Sequence, residues 1–344
     1  MSHASSRTRL VARMLRARLR GRPHTLSHLV TSRCNGRCPT CLWRGDGRDD
    51  LDAATVRWLY SEAGRAGFGQ LVVWGGEPLL RADLPELLAA AGRAGLFVTL
   101  ISNGWSVAER WPELRGRVDA LILSLDDVGP AHDRLRGLPG LFDRLQAFVA
   151  SLAGDPLRPT LLVNTVLSRE NHGALARVVS VAQRWGAGLY FCPMETGELS
   201  AGGGDDRLAG LALSPLELRE AARVALELKA SGYPILDSRP YLELLAGDPS
   251  LSAYTCRAPR ARLTVGADGS VRDCLHIDRP LANVSDLLAE GRPLTELFRA
   301  AAWRRMGAEA ARCTKCNNPD VIELSWLWDL RPVMLRKVVE LAGR

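Results

Sequence analysis

Short runs rich in Leu, Val and Ile recur along this chain at 26–31, 70–74, 96–101, 119–125, 159–167 and 188–192. Each has the length of a buried strand. Between them, apolar positions fall three and four apart over 52–66, 83–94, 140–153 and 172–185, which predicts helices. Strands that alternate with helices build βαβ units and a parallel sheet, so the pattern defines an α/β fold.

Parallel βα units place their functional loops at the C-terminal ends of the strands. The first such loop carries Cys34, Cys38 and Cys41 in the spacing C-x3-C-x2-C. Three thiolates this close together can hold a cubane iron–sulfur cluster by three of its four irons, leaving the fourth open to a small molecule. A zinc knuckle wants four ligands, usually in paired spacings, and this loop offers no His or fourth Cys.

The later strand ends read as parts of one site. Strand two ends in Gly75-Gly76-Glu77-Pro78, where paired glycines permit close backbone approach to a ligand and Glu77 offers a carboxylate to an ammonium group. Strand three ends in Ser102-Asn103-Gly104. Strand four ends in Ser124-Leu125-Asp126, a hydroxyl and a carboxylate suited to ribose hydroxyls. Gly-Gly is a common turn and Ser-x-Asp a common helix cap, so their joint placement at successive strand ends carries the weight.

Together these motifs resemble the radical S-adenosylmethionine (SAM) superfamily. The run from Ser124 through His132-Asp133-Arg134-Leu135-Arg136-Gly137 resembles its SPASM/twitch branch. The resemblance covers 26 to about 195. It implies a partial (βα)6 TIM-type barrel with a [4Fe–4S] cluster on Cys34, Cys38 and Cys41. SAM would bind the open iron through its amino and carboxylate groups. Gly75, Gly76, Glu77 and Pro78 would lie at the methionine ammonium, Ser124 and Asp126 at the ribose, and Asn164 on strand five would be a further SAM contact. The family usually has an aromatic residue just before the third cysteine. Here it is Thr40, with Trp43 as the nearest substitute.

Strand six runs into Cys192, Pro193, Met194 and Glu195, followed by a Gly-rich segment over 197–210. At the active-site face that segment is either a lid that orders on substrate or a passive loop, and Glu195 is placed as a substrate contact. Cys192 belongs to no spacing pattern. Ser214-Pro215-Leu216-Glu217 is a capping box with Pro at the first helical position, opening a helix to about 231.

Four further cysteines follow. Cys256 precedes a predicted hairpin turning at Asp268-Gly269, Cys274 ends its second strand, and Cys313 and Cys316 form a C-x2-C pair. Four thiolates suit structural zinc or an iron–sulfur cluster, and the tally of three, four and one left over favours iron. C-x12-G-x4-C followed by C-x2-C resembles the SPASM/twitch auxiliary domain. With no cysteine after Cys316, it resembles the shorter, twitch-like form with a single auxiliary [4Fe–4S] cluster. The expected division is an arm over 1–24, the barrel over 25–232 and the auxiliary cluster domain over 233–344.

Charge changes the picture at one place. The net charge of +7 equals the seven arginines of residues 1–24, so the remaining chain is formally neutral and shows no net preference for nucleic acid. Leu10, Val11, Met14, Leu15 and Leu19 recur among those arginines as a short basic amphipathic helix, which either touches a membrane surface or caps the barrel. With clustered cysteines and no transmembrane run, the expectation is a cytoplasmic protein in a reducing compartment.

Two clusters imply two roles: one for reductive SAM cleavage, the other for accepting an electron. The leading expectation is oxidation of a secondary alcohol on a small polar metabolite (an aminocyclitol, sugar or nucleoside), with flavodoxin or ferredoxin as electron donor. The second is modification of a peptide or lipid. The third, a non-enzymatic iron–sulfur carrier or sensor, leaves the strand-end motifs without a purpose.

Overall fold

Every apolar run expected to be a strand is one. In the computed structural model, which describes residues 3–43, 45, 47, 49–194, 206–247, 254–272, 274, 280–313, 316–332 and 334, these are β1 (Thr25–Leu29), β2 (Gln70–Trp74), β3 (Phe97–Ser102), β4 (Ala120–Ser124), β5 (Thr160–Leu167) and β6 (Gly188–Pro193). They lie side by side in chain order, each parallel to the next. The fold is the partial TIM-type barrel expected for the radical SAM core.

Alternation along the strands separates two faces. Leu71, Val73, Val98, Leu100, Leu121, Leu123, Leu161, Val163, Leu189 and Phe191 are buried, in one core with the helices. The alternate positions, including Val72, Trp74, Ile101, Ile122, Leu162, Asn164, Tyr190 and Cys192, are half-buried on the inner face of the barrel.

An N-terminal helix, α1 (His3–Leu19), precedes the barrel. The first helices that follow are α2 (Ala53–Ala66), α3 (Leu84–Arg93), α4 (Val107–Leu114), α5 (Gly129–Arg136), α6 (Leu141–Ser151) and α7 (Leu175–Arg184). Two of these, α4 and α5, fall outside the segments predicted as helices. Pro112 lies inside α4, and α5 buries only His132. Beyond a single turn, α8 (Asp206–Ala209), helix α9 (Pro215–Ala230) opens with the expected capping box, both of whose hydrogen bonds are present. Glu195 and positions 197–205 of the expected lid lie outside the described residues.

Both edges of the six-stranded sheet are extended. The free edge of β6 is met by the chain over 233–237, where the Leu189 amide donates to Pro234 O (2.9 Å) and the Leu236 amide to Leu189 O (2.7 Å). The free edge of β1 receives β7 (Arg262–Val265), parallel and in register from Thr25↔Arg262 to His28↔Val265. The expected hairpin then forms with β8 (Ser270–Arg272), and a two-residue β9 (Ala282–Asn283) completes nine strands. The hairpin between Cys256 and Cys274 therefore continues the barrel sheet.

The N-terminal helix caps the barrel. Helix α1 reaches the N-terminal ends of β2 and β3, where Arg13 Nη1 donates to Phe68 O (2.9 Å) and Ala94 O (3.4 Å). Arg18 Nε donates to Trp328 O (2.6 Å), and its guanidinium lies 4.9 Å over that ring. Ala17 is buried, whereas Leu15 and Leu19 face outward at 49% and 87% exposure. No helix among the described residues is long and apolar enough to cross a membrane.

Candidate functional site

The cysteine loop leaves β1 and is held against the ends of β2, β3 and the α5 turn. The Gly76 amide donates to Thr31 O (2.8 Å) and the Glu77 amide to Arg33 O (2.7 Å). A Cβ on Gly75 would stand 2.3 Å from Thr31 O, and one on Gly76 2.1 Å from Arg33 O. The close approach that the paired glycines permit is thus made by the chain's own backbone. Glycine is required here because the start of the cysteine loop crosses directly above the strand end.

Glu77 is equally committed. Its side chain is 1% exposed. Oε1 accepts from Ser102 Oγ (2.8 Å) and the Leu79 amide (3.0 Å), and Oε2 from the Asn103 amide (2.7 Å). A carboxylate has about four acceptor positions, so three of these are filled from within. Burial pushes its pKa up from the ordinary 4.5, against the pull of these donors. Asn103 Nδ2 donates in turn to Asn35 Oδ1 (2.8 Å), so the Ser102-Asn103-Gly104 turn reaches into the cysteine loop. Pro78 is buried in the short 3-10 turn after Glu77.

The three thiols each meet a donor. The Gly36 amide lies 3.3 Å from Cys34 Sγ, the Trp43 amide 3.4 Å from Cys41 Sγ, and Arg136 Nη1 3.9 Å from Cys38 Sγ. Burial pushes the Cys34 thiol up to about 11, with Glu77, Cys38 and Cys41 adding to the effect. Burial also raises Cys38, opposed by Arg136. Mutually repelling thiols, each offered an N–H, suit sulfur ligands whose charge a bound cation neutralises. Among the described residues no three His, Cys, Asp or Glu side chains converge as on a single metal ion. The ligands of a cubane sit on separate irons, so convergence of that kind is not required of them.

Asp126 and Ser124 differ in how far they are committed. Asp126 Oδ1 accepts from the Val166 amide (3.0 Å), and Oδ2 forms a 2.7 Å ion pair with Arg136 Nε. Ser124 sits opposite Asn164 in the β4–β5 register. Neither side chain is spent on a hydrogen bond among the described residues. Trp43 packs edge-to-face on Trp74, with centroids 5.4 Å apart, and Trp74 Nε1 donates to Ser27 Oγ (2.9 Å).

The run after Ser124 gains a structural account. The Asp126 amide donates to His132 Nδ1 (3.2 Å), and burial with Arg136 nearby depresses that imidazole to about 3. Asp133 accepts from the Gly140 (2.6 Å) and Phe142 (2.9 Å) amides at the start of α6. Arg136 O accepts from the Arg37 amide (2.9 Å), and Gly137 (φ +63°) ends α5 in the left-handed region with Arg37 packed against it. Of these residues, Arg136 was legible only as part of a family-like string. Asn35 and Asn103 gave no sign of pairing.

In the C-terminal segment Cys256 and Cys316 are buried, while Cys274 and Cys313 are half-buried. Tyr254, unremarkable in sequence, is buried beside Cys316, Cys256 and Cys313, and burial followed by these thiols drives its phenol pKa up. Cys256 also faces Cys313 and Arg262. Cys192 lies on the inner face of β6, opposite Val166 and two residues from Tyr190.

Residues 29–179 match the family profile described as the radical SAM superfamily. The chain superposes on Streptococcus suis SuiB bound to S-adenosylmethionine with a TM-score of 0.66 at 15% identity, over 88% of this chain and 72% of that one. It superposes on anSMEcpe with bound AdoMet and Cp18Cys peptide with a TM-score of 0.63 at 16% identity, over 93% and 99%. The PqqA peptide cyclase of Xanthomonas campestris pv. campestris is 35% identical over 175 residues, 48% of this chain and 46% of the relative. That of Rhizobium meliloti is 33% identical over 161 residues, 45% and 42%. The chain thus spans about half the length of the curated relatives it matches. Over residues 29–179 it is similar to the radical SAM superfamily.

Proposed function

We propose that this chain is a radical SAM enzyme that modifies a peptide. The observation that carries the reading is the match to PqqA peptide cyclases, at 35% identity over 175 residues. Of the two substrate classes expected from the sequence, a peptide agrees with these relatives. Alcohol oxidation on a small metabolite rests on the auxiliary-cysteine layout alone.

Cys34, Cys38 and Cys41 hold the cluster, each sulfur already offered an N–H. With SAM bound there and one electron supplied, the cluster would provide the radical chemistry that removes a hydrogen atom from the substrate. The rest falls to the protein. Gly75, Gly76 and Glu77 fix the cysteine loop, while Ser124 and Asn164, paired across β4 and β5, would contact SAM. Val72, Ile101, Ile122 and Leu162 give the barrel an apolar inner face that keeps water from a radical. Cys256, Cys274, Cys313 and Cys316 would hold an auxiliary cluster suited to electron transfer, and a flavodoxin or ferredoxin would be the reductant.

The test is release of 5′-deoxyadenosine by the anaerobically reconstituted, reduced protein given peptide or polar-metabolite fractions of cell extract. Release with the peptide fraction, abolished by protease digestion of that fraction, is expected. Release with the polar fraction alone overturns the peptide reading, and no release with either overturns the enzymatic one.

A further inference from the structure

A buried ion pair stands behind one cysteine of the three-cysteine loop. Arg136 has 11% of its side chain exposed and Asp126 6%, with Nε and Oδ2 2.7 Å apart. Nε stands close to the carboxylate without its N–H being aimed into a hydrogen bond, and Nη1 lies 3.9 Å from Cys38 Sγ. Nη2 is buried and has no hydrogen-bond partner. Burial alone would weaken the charge on Arg136, but Asp126 and Cys38 outweigh it and keep the group protonated.

The arrangement is over-determined. Asp126 is fixed by the Val166 amide at one oxygen and through its own amide by His132 Nδ1. The backbone of Arg136 is fixed by the Arg37 amide, on the residue before Cys38. A cation held this rigidly in a low-dielectric site acts on nearby charge far more strongly than one in water. Nη1 is the guanidinium nitrogen that meets the sulfur, and Asp126 is near enough to Cys38 to oppose its effect.

We propose that Arg136, oriented by Asp126, is a positioning residue that sets the reduction potential of the cluster carried by Cys34, Cys38 and Cys41. This rests on the reading of those cysteines as cluster ligands. Reduction adds one negative charge to the cluster. A fixed cation beside Cys38 stabilises the reduced form and eases electron entry, and Asp126 moderates that effect. The two partners therefore have opposite signs, which a purely structural role for the pair does not produce.

The experiment is a redox titration of the full chain, reconstituted anaerobically with iron and sulfide and followed by electron paramagnetic resonance without SAM. The relevant signal is the one that Cys34→Ala abolishes. Arg136→Met is expected to shift the reduction equilibrium against the reduced cluster by tenfold or more, about 59 mV for one electron. Arg136→Lys retains most of the wild-type potential. Asp126→Asn, which keeps an acceptor for the Val166 amide, shifts the potential in the opposite direction. Should Arg136→Met fail to load a cluster, the sign of the Asp126→Asn shift decides. Equal potentials in Arg136→Met and wild type at full iron load, or shifts of the same sign in both variants, overturn the proposal while leaving the cluster assignment intact. A wild-type protein with no signal dependent on Cys34 overturns both.

Discussion

Arg33 O lies 2.1 Å from the point that a Cβ on Gly76 would occupy. The strand-end glycine and the root of the cysteine loop are thus in backbone contact, and the amide of the next residue, Glu77, donates to the same oxygen at 2.7 Å. Gly76→Ala forces that carbonyl away and moves Cys34 with it. Overpacking of this kind costs about 1–3 kcal/mol. The expected outcome is a lower thermal midpoint together with reduced iron content after reconstitution. Wild-type iron loading in the variant would show that the loop adapts without the contact.

How much of this was legible in the sequence depends on which physical signal each part leaves. The six strands announced themselves because they bury one face completely, so Leu71, Val73, Leu121 and Leu123 stand in runs that no loop would carry. Helix α5 gave no such signal, because its residues work through polar contacts: Asp133 caps α6, and Arg136 reaches Asp126 and Cys38. Residue types at strand ends marked the site, but not what each group touches. Glu77 and Asp126 read as carboxylates for a ligand, yet Glu77 accepts from Ser102 and Asn103 and Asp126 from Val166, groups 25 to 40 residues away, and Asp126 is also paired with Arg136. The parallel pairing of β7 with β1 joins segments more than 230 residues apart and leaves no local trace.

His28 is buried and neutral, with Nδ1 2.9 Å from Tyr60 Oη. Burial, aided by Arg81, depresses its pKa from the ordinary 6.5 to about 3. The folded state therefore binds fewer protons than the unfolded one across that interval. The stability this supplies is present above about pH 6.5 and is lost as pH falls toward about 3. His28→Gln should reduce the slope of unfolding free energy against pH between about pH 6 and 4 by about 1.4 kcal/mol per unit. Denaturant titrations at several pH values measure this, and an unchanged slope would show that His28 does not resist protonation in the folded protein.

Arginines on α1 divide by contact. Arg13 reaches the backbone of Phe68 and Ala94, whereas Arg16 is exposed. Arg13→Ala is expected to lower stability by about 1–3 kcal/mol, the range for hydrogen bonds from a charged donor. Arg16→Ala should stay within about 0.5 kcal/mol of wild type. Chemical denaturation of both variants checks the difference. Equal effects would mean that α1 acts through its net charge and not as a cap on the barrel.

Among the strand-end groups, Ser124 and Asn164 keep side chains that no described residue engages, while Asp126 is locked to Arg136 and Val166. Substitutions should therefore separate binding from folding. If they contact SAM as proposed, Ser124→Ala and Asn164→Ala should each weaken SAM binding by about 1 kcal/mol, roughly fivefold in affinity, with the unfolding midpoint nearly unchanged. Asp126→Ala leaves a buried guanidinium without its counter-ion, and breaking a pair of this kind costs about 3–5 kcal/mol. Calorimetric titration of SAM into the reconstituted protein, beside thermal unfolding of the same samples, reads both quantities. If Ser124→Ala and Asn164→Ala bind SAM as wild type does, their assignment as SAM contacts is wrong and the cofactor contacts lie elsewhere on the inner face. If Asp126→Ala instead unfolds like wild type and loses only SAM, the carboxylate serves the ligand, and its pairing with Arg136 opens when SAM arrives.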